Sequence, residues 1–227
     1  MSDDSRRRKI FVTGGTGYIG RRMIQELMGR GHDVRALARR NSVSKLPAGC
    51  VPVVGDALDG GSFMDQVRPA DTFVHLVGVS NPGPLKAAQF LTVDLASVRA
   101  SLPSARSAAV GHFVYVSVAQ PAPIMKAYVQ TRGDCEALIR ASGLNATILR
   151  PWYVLGPGHW WPYSLVPFYW LFERLPPTRE TALRLGLVRL PEMVGALIWA
   201  IENSFQGIRI VEVNQIKAVG SGQYCFD

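Results

Sequence analysis

Glycines at positions 14, 17 and 20 constrain this chain more than any other feature. They fall where an apolar run, Ile10-Phe11-Val12, gives way to a helical pattern from Tyr18 to Gly29. A strand that ends in a glycine turn and continues as a helix aims backbone N–H groups and the positive end of a helix dipole at one point, which suits a phosphate. The spacing is G-x-x-G-x-x-G rather than G-x-G-x-x-G. It predicts a tight turn at Gly14, a bare backbone beside pyrophosphate at Gly17 and close helix-to-sheet packing at Gly20, with Thr16, Tyr18 and Ile19 in the same loop. A triphosphatase-type phosphate loop is excluded, because Gly15-x-x-x-x-Gly20 is followed by Arg21-Arg22 and not by Lys-Ser/Thr.

The next elements continue that logic. A helix closed by Gly31-His32 leads to a second strand, Asp33 to Ala38, which completes a β-α-β unit of the size dinucleotide folds use. At its end, where an acidic residue would hold the ribose 2′-hydroxyl of NAD, stand Arg39 and Arg40. Asp33 lies at the wrong end to replace that acid. Paired hydrogen bonds from guanidinium suit a 2′-phosphate, so this position favours NADP over NAD. Two solvated arginines are the alternative reading.

Further strands are expected at 51–54, at 71–77, at 112–117 and at 146–150, with helices near 62–67, over 85–110 with an interruption near Pro103, and from about Ile124 to Ser142. This alternation predicts a doubly wound parallel α/β sheet covered by helices on both faces. Strand ends line the crevice of such a sheet, which nominates Asp56, Ala57, Leu76, Val77 and Gly78 for the adenine and ribose walls. His75, inside a strand, reads as a packed core histidine.

A chain of 227 residues accommodates one such domain with a small appendage. The domain reading is a core over 9–157, a small C-terminal lobe over 158–216, and tails at 1–8 and 217–227. No uncharged run reaches the roughly 18 apolar residues of a membrane span, and the charged N-terminus lacks the apolar core of a secretory signal. Cys50, Cys135 and Cys225 share no metal-ligand spacing. A cytoplasmic protein without a bound metal is the expectation. The net charge of +8 suits an anionic partner, yet no basic stripe interleaved with stacking aromatics points to nucleic acid. The segment from Trp160 to Phe172 crowds aromatics among prolines. Three readings stay open for it: a wall of an apolar substrate pocket, a membrane-surface or partner patch, or packing of the C-terminal lobe.

Ser117 ends a strand, and Tyr128 and Arg132 lie four apart on the next helix, on one face. A phenol titrates near pH ~10, so acid-base work needs a cation nearby, which Arg132 could supply. The alternative is a surface ladder of Tyr128, Arg132, Glu136 and Arg140, each one helical turn from the next.

With the glycine turn, Arg39, Gly55-Asp56, Tyr115-Val116-Ser117, Tyr128 and Leu149-Arg150-Pro151 in this order, the sequence resembles an atypical or extended short-chain dehydrogenase/reductase over residues 9 to 157. The resemblance implies a Rossmann fold, a cofactor contact at Pro151, Ser117 as hydrogen-bond partner of a substrate carbonyl and Tyr128 as proton donor or acceptor. It implies an NADP(H)-binding protein that reduces a small carbonyl or similar apolar substrate. The family's Tyr-x-x-x-Lys is Tyr128-Val129-Gln130-Thr131-Arg132 here, and arginine is planar, bulkier and never deprotonated. The resemblance therefore also admits a silent NADP(H)-binding redox sensor or assembly factor.

Overall fold

The computed structural model describes residues 7–80, 82–122, 124–157 and 185–222. Seven parallel strands form one sheet in the order β3-β2-β1-β4-β5-β6-β9. They are β1 (Lys9–Thr13), β2 (Asp33–Ala38), β3 (Val51–Val54), β4 (Thr72–His75), β5 (His112–Val116), β6 (Ala146–Arg150) and β9 (Ile208–Glu212). Two short strands, β7 (Tyr153–Leu155) and β8 (Leu187–Arg189), pair separately. The order reverses between β1 and β4, which opens a crevice at their C-terminal ends, as a Rossmann sheet does.

Strand alternation sends consecutive residues to opposite faces. Ile10, Val12, Val74, Val114 and Leu149 pack with α1 (Tyr18–Gly29), α5 (Leu190–Glu202) and α6 (Val213–Gly220). Phe11, Phe73, Phe113 and Tyr115 pack on the other face with α3 (Ala96–Ser107) and α4 (Lys126–Ala141). There Phe63, Phe11, Phe73 and Phe113 form a row of rings 5.9, 5.3 and 5.2 Å apart. Burial of Met23, Ile24 and Leu27 holds α1 to the sheet, each contributing roughly 1.5–3 kcal/mol.

Several expectations are corrected. The helix expected near 62–67 is two short 3₁₀ turns, Gly60–Ser62 and Met64–Gln66, because glycines open it and Pro69 follows closely. Pro103 does not interrupt its helix. It lies on the exposed side of α3, as does Arg99, whose carbonyl loses its donor. The irregularity falls instead upstream, where α2 (Ala87–Gln89) passes through a π-helical stretch, Phe90–Leu95, into α3. The helix expected from Ile124 begins at Lys126, behind Met125 in a left-handed conformation (φ +57°). Lys217–Gly220, expected as tail, completes α6. Strand β9, which falls within the span expected as a C-terminal lobe, is the seventh strand of the main sheet, paired with β6. The aromatic segment 160–172 and Cys225 lie outside the described residues.

Candidate active site

The glycine turn is built as its spacing predicts. Gly14 has φ +79°, and a Cβ there would lie 2.7 Å from the Leu76 carbonyl carbon. A Cβ on Gly20 would lie 2.5 Å from the Gly14 carbonyl oxygen, so β1, β4 and α1 meet through bare backbone. No side chain caps α1 at Gly17, and no acidic residue sits in its first turn. The first N–H groups of that helix are thus unclaimed by side chains and face the crevice.

A groove of about 350 Å³ runs from this turn, lined by Gly14, Thr16, Gly17, Arg39, Asp56, Ala57, Leu76, Val77 and Gly78. Nine of the thirteen expected cofactor positions therefore converge. Tyr18, Ile19 and Pro151 line a second cleft of about 650 Å³ that shares Gly14, Gly17, Leu76 and Gly78 with the groove. Arg40 lines neither; it opens the 3₁₀ turn Arg40–Lys45. Ser42 and Gly55 join the groove wall without any motif having singled them out as contacts. The Asp56 carboxylate accepts the Leu58 N–H at 3.0 Å, which shapes the loop it sits in.

Ser117, Tyr128 and Arg132 all line the second cleft. The exposed ladder is not formed, because Arg132 and Glu136 are buried and only Arg140 is exposed. Arg132 lies across the end of β4. Its Nη2 pairs with Asp94 Oδ1 at 2.7 Å, and its Nη1 donates to the Tyr115 hydroxyl at 3.0 Å and to the Val116 carbonyl at 2.8 Å. A Cβ on Gly78 would overlap that guanidinium, which is why glycine stands there. The Arg132 guanidinium carbon is 5.2 Å from the centre of the Tyr128 ring, whose other neighbour is Phe90 at 4.9 Å. Burial raises the Tyr128 phenol pKa and the Arg132 charge opposes that rise. Arg132 Nε has no partner among the described residues.

Ser117 Oγ donates to Glu136 Oε1 at 2.7 Å. Gln120 and Arg150 donate to the same carboxylate, Arg150 in a two-point pair at 2.9 and 2.6 Å. A serine hydroxyl has one proton, so Ser117 turns lone pairs toward the cleft and cannot also donate to a substrate carbonyl in this arrangement. His75 is a core residue as expected. Its Nδ1 meets Thr13 at 2.8 Å and Ser101 at 3.1 Å, its Nε2 meets Ser97 at 3.1 Å, and burial with the Arg132 charge lowers its pKa to about 3. Asp94 was missed by the sequence reading, although an acid inside the apolar stretch Phe90-Leu91-Thr92-Val93-Asp94-Leu95 is a signal, since a buried carboxylate requires a partner.

A family model described as NAD(P)H-binding matches residues 14–157, which span the groove and the cleft. The chain belongs to the NAD(P)H-binding family. The ceramide reductase of Caulobacter vibrioides is 26% identical over 213 residues, covering 93% of this chain and 66% of that protein. A 4-hydroxy-2-methyl-3-oxo-4-farnesyl-3,4-dihydroquinoline-1-oxide ketoreductase of Stigmatella aurantiaca is 25% identical over 170 residues, covering 65% of this chain and 51% of that protein. This chain thus spans about half to two thirds of these two relatives. The enzyme WbmH of Bordetella bronchiseptica, solved with NAD+, superposes with a TM-score of 0.66 at 19% identity over 90% of this chain and 75% of that one, a likeness of fold. The similarity to atypical and extended short-chain dehydrogenase/reductases stands. The uncapped start of α1, the glycines that admit no Cβ and the groove beside them fit a dinucleotide, and this NAD(P)H-binding chain would hold its phosphates at the turn and its ribose along Arg39 and Asp56. Among the described residues no cluster suits a metal, and no helix is long and apolar enough to cross a membrane.

Proposed function

We propose that this chain is an NADP(H)-dependent reductase of a small carbonyl or similar apolar substrate, with Tyr128 as the proton donor. The observation that carries the reading is the continuity of the groove with the cleft through Gly14, Gly17, Leu76 and Gly78, because the cleft that Tyr128 lines then adjoins the groove proposed for the dinucleotide. The nicotinamide would supply hydride to the carbonyl carbon. Tyr128, protonated at neutral pH, gives its proton to the carbonyl oxygen, and the guanidinium beside its ring offsets the charge of the phenolate left behind. Solvent protons restore the phenol. Trp152, Val154 and Val118 give the cleft an apolar wall. Arg39, placed in the groove, supports NADP over NAD. Free Cys50 and Cys135 suit a reducing, cytoplasmic setting, and two relatives bear the names of reductases.

The test is Tyr128→Phe against a panel of aldehydes, ketones, quinones and enones. NADPH affinity should stay nearly unchanged while turnover falls by about 10²–10⁴-fold. A second reading, a silent NADP(H)-binding sensor, draws on Ser117 and Arg132 both being occupied by protein partners. Tight NADPH binding by the unmutated chain with no oxidation across the panel selects the sensor.

A further inference from the structure

A third cleft, of about 380 Å³, shares Tyr18 with the site above and no residue with the cofactor groove. Tyr18, Arg21, Arg22 and Gln25 stand on one stripe of α1, at helical spacing, and Lys45 faces them from the end of its 3₁₀ turn. Six other arginines, at positions 7, 30, 132, 140, 150 and 189, are matched with carboxylates. Among the described residues Arg21, Arg22 and Lys45 have no ion pair, and no acidic residue lines their cleft. Three like charges gathered with no counter-charge among the described residues repel one another, and an anion relieves that repulsion.

The rest of the lining is apolar: Leu46, Pro47, Pro157 and Leu190. A free phosphate would gain nothing from that wall, whereas an amphiphile would set its phosphate among the cations and its first carbons on the apolar side. We infer that this cleft receives the phosphate headgroup of an anionic phospholipid at a membrane surface. The inference does not depend on the reductase reading.

Flotation with phosphatidylcholine vesicles, with and without phosphatidylglycerol and with NADPH saturating, tests it. The chain should float with the anionic vesicles alone. Each basic residue near such a surface contributes ~1 kcal/mol, or roughly fivefold, so Arg21→Gln/Arg22→Gln/Lys45→Gln should lower the partition coefficient on the order of 100-fold while NADPH affinity is kept. The control, Arg99→Gln/Arg106→Gln/Lys126→Gln, removes as much charge from α3 and α4 on the opposite face of the sheet and should leave most binding in place. Equal binding to neutral vesicles, or equal losses in the two variants, overturns the inference in favour of apolar contact or diffuse charge. Calorimetry supplies the last arm: inorganic phosphate binding as tightly as dihexanoyl phosphatidylglycerol overturns it in favour of a free-phosphate site.

Discussion

The two ends of the crevice are made in different ways. At the glycine turn the function resides in backbone: Gly14, Gly17 and Gly20 are there for the atoms they lack, and the turn is closed within seven residues and packed on the Leu76 backbone. Around Arg132 it resides in side chains drawn from the π-helical stretch, β5, α4 and β6, where Arg132 finds Asp94 38 residues away and Ser117 finds Glu136 19 residues away in sequence. A backbone site announces itself by spacing. A side-chain site announces only its members, and its chemistry depends on which partner each one finds.

That contrast predicts its own largest effect at the side-chain end. Asp94 is fully buried and faces Arg132 at 2.7 Å. Asp94→Ala strands a buried guanidinium, a change that costs about 3–5 kcal/mol, and urea unfolding should show it. Arg132→Lys should fall between that variant and the parent, because one ammonium cannot span Asp94, the Tyr115 hydroxyl and the Val116 carbonyl, although lysine is the residue the family resemblance calls for. A loss below about 1 kcal/mol for Asp94→Ala would mean that the pair behaves as a solvated one and that Arg132 is free to serve the cofactor.

A smaller loss is expected at the backbone end. Gly14→Ala must hold a Cβ at φ +79°, against the Leu76 carbonyl carbon. Strain of this kind costs about 1–3 kcal/mol, and relief of it would push the turn off the phosphate position. NADPH affinity, read from tryptophan fluorescence, should therefore fall in step with stability. At Tyr128→Phe, by contrast, the two are expected to separate. A Gly14→Ala protein that lost stability yet bound NADPH as before would detach the turn from the cofactor.

These differences explain what could be read from the chain before its structure. The parallel sheet and the groove were legible because apolar strand runs and glycine turns act locally; Phe11, Phe73 and Phe113 declare a buried face wherever they sit. Ser117, Tyr128 and Arg132 were legible as members of a site. Their bonding was not, because Ser117 donates its hydroxyl hydrogen bond to Glu136, a residue whose one-turn spacing from Arg132 looked like an exposed ladder, and Arg132 takes its place from Asp94 in an irregular turn that no periodicity predicts. The end of the chain was misjudged for a related reason. Strand β9 is short and half-buried, and its place beside β6 is set by pairing rather than by pattern.

Arg39 is the exception that sharpens the comparison, a side chain at the backbone end whose role was read from position alone. It lines the groove where β2 stops, while Arg40, its neighbour, lines neither cavity. A guanidinium held there adds a charged contact to a 2′-phosphate and nothing to a 2′-hydroxyl. Because Arg39 is exposed, salt and solvent limit that contact to about 1–1.5 kcal/mol, or roughly tenfold. Fluorescence titration at low salt should therefore give NADPH about tenfold tighter binding than NADH. Arg39→Asp should erase the gap or reverse it, since a carboxylate repels the phosphate and can accept from the hydroxyl, and Arg40→Asp should leave most of it. Equal affinities of the unmutated chain for the two cofactors would end the NADP assignment, and equal effects of the two variants would show that the pair acts only as diffuse charge.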